Sequence, residues 1–147
     1  MPTIKLEIVT AERQVFSGDV TTIIAEGTEG QMTVLPKHAP LITMLAPGEL
    51  VIRKDGDEQY MVISGGFMEV MPEKVIVLAD VCERSDEIDL ERATAAKQRA
   101  EERLKGLSPE VDQSRAEAAL RRSIARVRVA EKRRRMPGYK PGGQIAA

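Results

Sequence analysis

Residues 27–48 read GTEGQMTVLPKHAPLITMLAPG. Gly27, Gly30, Pro36, Pro40, Pro47 and Gly48 divide this stretch into two short apolar runs, Met32–Leu35 and Leu41–Leu45, each long enough for one strand. Glycine supplies turns with positive φ, and proline stiffens loops and removes a backbone donor. Chain of this kind turns sharply, pairs briefly and turns again. The only histidine, His38, lies between the two runs.

The same pattern extends outward. Upstream, Ile4, Leu6 and Ile8 alternate with Lys5, Glu7 and Val9, as in a half-buried strand. Val15 and Phe16 follow, then a predicted turn at Ser17-Gly18-Asp19 and a β-branched strand over Val20–Ala25. Downstream, Glu49–Lys54 and Gln59–Ser64 flank Asp55-Gly56, a strong hairpin signal. Gly65-Gly66 points to a bulge or a close backbone approach. Phe67–Met71 and Val75–Val81 then form a further hairpin around Pro72-Glu73-Lys74. About nine or ten short strands in so short a span predict a β-sandwich or flattened barrel of mainly antiparallel strands.

At Cys82 the pattern changes. Ala93, Ala96, Ala100, Leu104 and Leu107 recur at helical spacing, behind acidic residues Asp86, Glu87, Asp89 and Glu91 that suit a helix N-terminus. A break at 106–109 follows, with Ser108 as N-cap and Pro109 in the first helical position. A second helix is predicted from Pro109 to Arg135, with Ala116, Leu120, Ile124 and Val127 as its apolar stripe, stopped by Met136-Pro137-Gly138. The expected organisation is a β-sandwich over 1–84, a two-helix hairpin over 85–136 and a disordered tail over 137–147. Small alanine contacts hold such helices weakly. The pair can close as a hairpin, dock on the β-domain, or open along a partner.

Composition narrows the function. The 147 residues are 42% hydrophobic but only 3% aromatic, with no tryptophan, so the core must be aliphatic. The net charge of −1 argues against nucleic-acid binding as the main task. Residues 1–82 carry net −6 and residues 83–147 net +5, so the two parts suit different partners or each other. One cysteine excludes an intrachain disulfide, and one histidine with one cysteine makes no metal cluster. No glycine-rich phosphate loop and no catalytic constellation is present, so no enzyme activity is expected. The start resembles no signal peptide and no apolar run approaches a membrane span, so no direct membrane insertion is expected.

The arginines are the most informative helical residues. Arg92, Arg99 and Arg103 share one face of the first helix, and Arg115, Arg122, Arg126 and Arg133 share one face of the second. Such stripes are often solvated or paired with glutamates. Two arginine faces in a closed hairpin would otherwise call for an anion between them. A phosphate group or an acidic protein surface would suit. His38 reads first as a loop histidine held by local hydrogen bonds, and alternatively as a contact with a neighbouring subunit.

Three segments carry a family resemblance: Leu35-Pro36-Lys37-His38-Ala39-Pro40-Leu41, Val62-Ile63-Ser64-Gly65-Gly66-Phe67 and Ile88-Asp89-Leu90-Glu91-Arg92-Ala93. In this order and spacing they resemble the epsilon subunit of F-type ATP synthases, of bacterial or plastid type, across nearly the whole chain. The resemblance implies a non-catalytic subunit of the rotor's central stalk. It would be peripheral to the cytoplasmic face of a bacterial membrane or the stromal face of a plastid thylakoid. Its implied partners are the gamma subunit, the membrane rotor ring of c subunits, and the alpha/beta catalytic head when the helices extend and oppose ATP hydrolysis. The implied stalk and ring contacts are Glu29, Gln31 and His38, with Gln31 standing where some relatives carry an acidic residue. No cofactor is required, but ATP is implied as a regulatory ligand in some relatives. Matched by position, Arg92, Arg99, Arg122 and Arg126 would face its phosphates, and Glu83, Ile88, Asp89 and Ala93 would surround the adenine. The start-of-helix motif also occurs in relatives that bind ATP weakly, so it does not by itself separate the two kinds. A stand-alone nucleotide-binding sensor is the alternative.

Overall fold

The computed structural model describes residues 2–106 and 113–135, the last three of these through their backbone only. Eight strands are followed by two helices. The strands are β1 (Ile4–Val9), β2 (Gln14–Val20), β3 (Thr22–Gly27), β4 (Gly30–Val34), β5 (Leu41–Met44), β6 (Gly48–Lys54), β7 (Asp57–Val70) and β8 (Lys74–Arg84). The helices are α1 (Leu90–Lys105) and α2 (Gln113–Arg135), and a 3-10 turn, Ser85–Glu87, joins β8 to α1. The predicted break at 106–109 beyond Gly106, the stop at 136–138 and the tail lie outside the described residues.

The strands run in the order β2-β1-β8-β7-β6-β3-β4, and β5 joins on the far half of β7. β7 explains how one long strand closes a sandwich. Its first half pairs with β6, from Lys54↔Asp57 to Gly48↔Ile63, whereas its second half pairs with β5, from Met44↔Phe67 to Leu41↔Val70. The change of partner falls at Gly65 and Gly66, whose φ values are 79° and 114°. A Cβ on Gly66 would stand 2.1 Å from the Leu78 carbonyl oxygen, so only glycine lets β8 approach there. The sequence anticipated this close approach but divided β7 into two strands, which is why it overcounted.

A second difference is at Ser17-Gly18-Asp19. These residues continue β2 in register with Glu7, Leu6 and Lys5, and the chain turns at Thr21 instead. Pairing with β1 outweighs the local turn composition. Asp55 and Gly56, at φ 49° and 83°, make the expected tight hairpin between β6 and β7. One pairing is parallel: β1 lies beside β8 with Lys5↔Lys74 through Val9↔Leu78. It runs β1 alongside the first half of β8, so that the β1–β2 loop follows in the direction from which the helices depart.

Alternate residues of the strands meet in one aliphatic core that includes Ile4, Leu6, Ile8, Val20, Ile23, Leu50, Ile52, Met61 and Met68. The helices add a separate, smaller cluster of Val62, Ile88, Ala93, Ala125, Val129 and Ala130. Val62 belongs to the outer face of β7, so α2 lies across the outside of the sheet. Its predicted stripe of Ala116, Leu120, Ile124 and Val127 is only half-buried. The fully buried positions are Ser123, Ala125, Val129 and Ala130. The stripe is displaced because α2 has two neighbours, α1 and the sheet, and small residues allow both to approach. Three polar ties run along this contact. Arg122 Nη1 donates to Ser64 Oγ at 3.0 Å, Arg126 forks the Glu83 carboxylate, and Lys132 Nζ donates to Glu49 Oε1 at 2.5 Å while standing 5.1 Å from the Tyr60 ring centre.

Candidate functional site

The junction of sheet and hairpin forms a cleft of about 600 Å³. It is built first by α1. Asp89 caps the helix, its Oδ1 accepting from the backbone N–H of Glu91 at 3.0 Å and of Arg92 at 3.2 Å. That cap fixes the N-terminus so that Arg92 and Arg99, two turns apart, point along one side. Ile88 and Ala93 pack into the small apolar cluster beside it. Glu83, at the end of β8, and Arg126, from α2, close the cleft. The Arg126 Nε–H donates to Glu83 Oε2 at 2.9 Å, and Arg126 Nη2 donates to the other oxygen, a two-pronged charge-assisted contact.

Seven of the eight residues matched to an ATP site thus line one cleft: Glu83, Ile88, Asp89, Arg92, Ala93, Arg99 and Arg126. Arg122 is the exception. Held by Ser64, it lines an adjoining cleft of about 450 Å³ between the helices, with Arg103, Arg115 and Ser123. Of the four arginines matched to phosphates, Arg92 borders only the first cleft, Arg122 only the second, and Arg99 and Arg126 both. Ala96, Arg99 and Arg126 border both clefts, so the two adjoin. They differ in charge. The first sets its three arginines against Glu83, Glu87 and Asp89, whereas the described residues bordering the second include Arg99, Arg103, Arg115, Arg122 and Arg126 and no carboxylate. Arg103 and Arg115 stood out in the sequence as stripe members but were not assigned to the site. Their spacing was the available signal.

The remaining candidates are on the sheet. Glu29 is exposed in the β3–β4 turn, and Gln31, exposed on β4, donates from Nε2 to Glu26 Oε1 at 3.3 Å. His38 follows the other end of β4, its Nδ1 2.7 Å from the Ala39 carbonyl oxygen. Its neighbour Lys37, at φ 66°, donates its backbone N–H to Pro72. The three therefore occupy opposite ends of β4 and not one point. The sequence reading missed a nearby apolar surface. Met44, Phe67 and Leu78 stand opposite one another on β5, β7 and β8, each about half exposed, and Ile42 extends the row at 71% exposed. The signal was present in runs such as Leu41–Leu45, where residues of both faces are apolar.

Nothing described here carries covalent chemistry. Burial pushes the Cys82 thiol up to about 12, far from a reactive thiolate. Among the described residues no group of His, Cys, Asp or Glu could hold a metal ion, and no helix is long and apolar enough to cross a membrane.

Comparison with known proteins gives a consistent result. Residues 3–85 match the family model described as ATP synthase, Delta/Epsilon chain, beta-sandwich domain, and residues 86–131 match its long alpha-helix domain counterpart. The ATP synthase epsilon chain of Dehalococcoides mccartyi is 50% identical over 138 residues, covering 93% of this chain and 99% of that one. That of Herpetosiphon aurantiacus is 50% identical over 131 residues, covering 89% and 96%. Among solved structures, a chain of the Euglena gracilis mitochondrial ATP synthase, OSCP/F1/c-ring assembly superposes with a TM-score of 0.77 at 26% identity, covering 88% of this chain and 81% of its own.

Proposed function

The chain belongs to the ATP synthase delta/epsilon chain family, a non-catalytic part of the rotary enzyme, and from that premise we propose that it is an ATP-responsive regulator of the enzyme's central stalk. The β-sandwich of residues 1–84 is the stalk-binding part, and the hairpin of residues 85–136 is the moving part. The exposed Ile42, Met44, Phe67 and Leu78 supply apolar area for the gamma subunit. Glu29, Gln31 and His38, at the margins of that face, supply polar contacts to gamma and the ring of c subunits. Undocked, the hairpin carries its basic second helix to acidic surface on the alpha/beta head and opposes hydrolysis.

The observation that carries the ATP reading is the pair of adjoining clefts with unequal charge. Ile88 and Ala93 offer an apolar wall for a purine, with the Asp89 and Glu83 carboxylates as acceptors for its amino group. Arg92, Arg99, Arg122 and Arg126 lead from there into the arginine-rich cleft, where guanidinium forks suit phosphate oxygens. Together the clefts have the size of a small-molecule site. ATP spanning both would bridge α1, α2 and β8 and so favour the docked hairpin by mass action. A stand-alone sensor would use the same clefts but leave the exposed apolar face of the sheet without a use.

Calorimetric titration of the isolated chain with ATP is the test. One molecule should bind per chain. Arg92→Ala and Arg126→Ala should each lose about 1.5–3 kcal/mol, the range for hydrogen bonds to charged groups. Unchanged affinity in both variants would reject the clamp and leave the arginines as protein-facing surface.

A further inference from the structure

The parallel pairing of β1 with β8 brings together two segments distant in sequence. The β1–β2 loop, residues 10–13, lies beside the junction where β8 gives way to the helices. Thr10 knits that loop. Its backbone N–H donates to the Arg13 carbonyl at 2.9 Å, and its Oγ1 is 3.3 Å from the backbone nitrogens of Glu12 and Arg13. So held, Arg13 reaches across to Glu87, in the 3-10 turn. Its Nη1 and Nη2 stand 2.7 and 2.8 Å from the two carboxylate oxygens. Glu87 also accepts from the Arg84 backbone N–H at 2.9 Å. One carboxylate therefore ties the β1–β2 loop, the end of β8 and the turn before α1.

The same turn contains a less settled pair. Arg84 Nε and Asp86 Oδ1 are buried, lack a hydrogen-bond partner and stand 3.8 Å apart. The junction is thus clasped from outside by the close Arg13–Glu87 pair, whereas the Arg84–Asp86 pair inside it is longer and makes no hydrogen bond. Glu87 also borders the cleft assigned to ATP.

We propose that the Arg13–Glu87 ion pair is the latch of the hinge, holding the β8–α1 junction in the docked geometry and parting when the hairpin leaves the sheet. The inference rests on the hairpin being the moving part and adds what restrains it. It assigns a regulatory role to the β1–β2 loop, which touches neither ATP nor the helices' apolar cluster. Both partners are partly solvated, so the latch is weak enough to open. Whatever displaces that loop would release the hinge.

Hydrogen exchange of the full-length chain, measured without nucleotide, separates the outcomes. Arg13→Gln should raise the opening of α2 amides about fivefold, the effect of losing a solvated ion pair, while amides of β6 and β7 keep their protection. In a Glu87→Gln background the same Arg13→Gln change should add little further opening, because the pair is already broken. Unchanged α2 exchange in R13Q would overturn the latch, as would an equal rise in β6 and β7 or a full further rise in the Glu87→Gln background. If the wild-type hairpin opened only with the whole fold, the moving-part reading itself would fail. A hairpin that opens locally but ignores Arg13 would sink the latch alone.

Discussion

Arg126 shows how much of the site depends on a single partner. Its spacing from Arg122 marked only a shared helix face, and the family resemblance implied a phosphate ligand, yet the fold sets it against Glu83, both side chains about one-quarter exposed. Glu83 keeps the guanidinium aimed into the cleft and removes part of the repulsion that four arginines would impose on a closed hairpin. That pairing was not legible in the sequence, because it exists only once α2 has docked beside β8. The acidic start of α1 was legible, since such signals are local, although the sequence reading did not single out Asp89 as the cap. Glu87 carries a prediction of its own. The hydrogen bond from Arg13, helped by the Arg84 backbone and by both positive charges, holds its carboxyl below the usual 4.5. A carboxylate with a depressed folded pKa contributes its full stabilisation above the unfolded value and loses it as pH falls through the folded one. Thermal melts of wild type and Glu87→Gln should therefore differ near neutrality and converge as pH drops below 4.5. A difference that persisted undiminished in acid would show that Glu87 acts by packing and not by charge.

At the scale of elements, the strands were readable because alternation and the Asp-Gly turn are short-range signals. The parts misread were those in which a partner strand overrules composition. Gly65-Gly66 looks like an interruption but bends one strand between two partners, and Ser17-Gly18-Asp19 looks like a turn but pairs with β1. The helices were readable as helices, but α2's inner face was not. Half-buried Leu120 and Ile124 outcompete Ala125 and Ala130 in any hydrophobic pattern, although the alanines are what let α2 lie close to the sheet. The small size of that contact has an energetic consequence. Three of the six residues in the hairpin's buried cluster are alanine, whereas the sandwich core is mostly Ile, Val, Leu and Met. The hairpin should therefore leave the sheet at much lower cost than the sheet unfolds. Val129→Ala removes one of the few larger side chains in the contact and should cost about 2 kcal/mol of docking free energy. α2 amide exchange should report it, with the β-domain's melting temperature unchanged. A matching fall in that melting temperature would mean that hairpin and sheet form one cooperative unit.

For the whole molecule, the charge asymmetry between the two parts becomes a switch. The acidic sandwich attracts the basic hairpin through ties such as Lys132–Glu49, and an acidic surface elsewhere competes for the same arginines. In the proposed function ATP tips that competition, because a ligand spanning α1, α2 and β8 favours the state in which they are together. The exposed apolar row on the sheet stays available to the stalk in either state. The most direct measurement is a distance between spin labels on the β-domain and on α2, with the chain assembled on gamma and the alpha/beta head and ATP titrated. The account predicts two distance populations, the shorter growing with ATP and Arg92→Ala shifting the titration to higher concentration. A single population, or proportions independent of ATP, would contradict it.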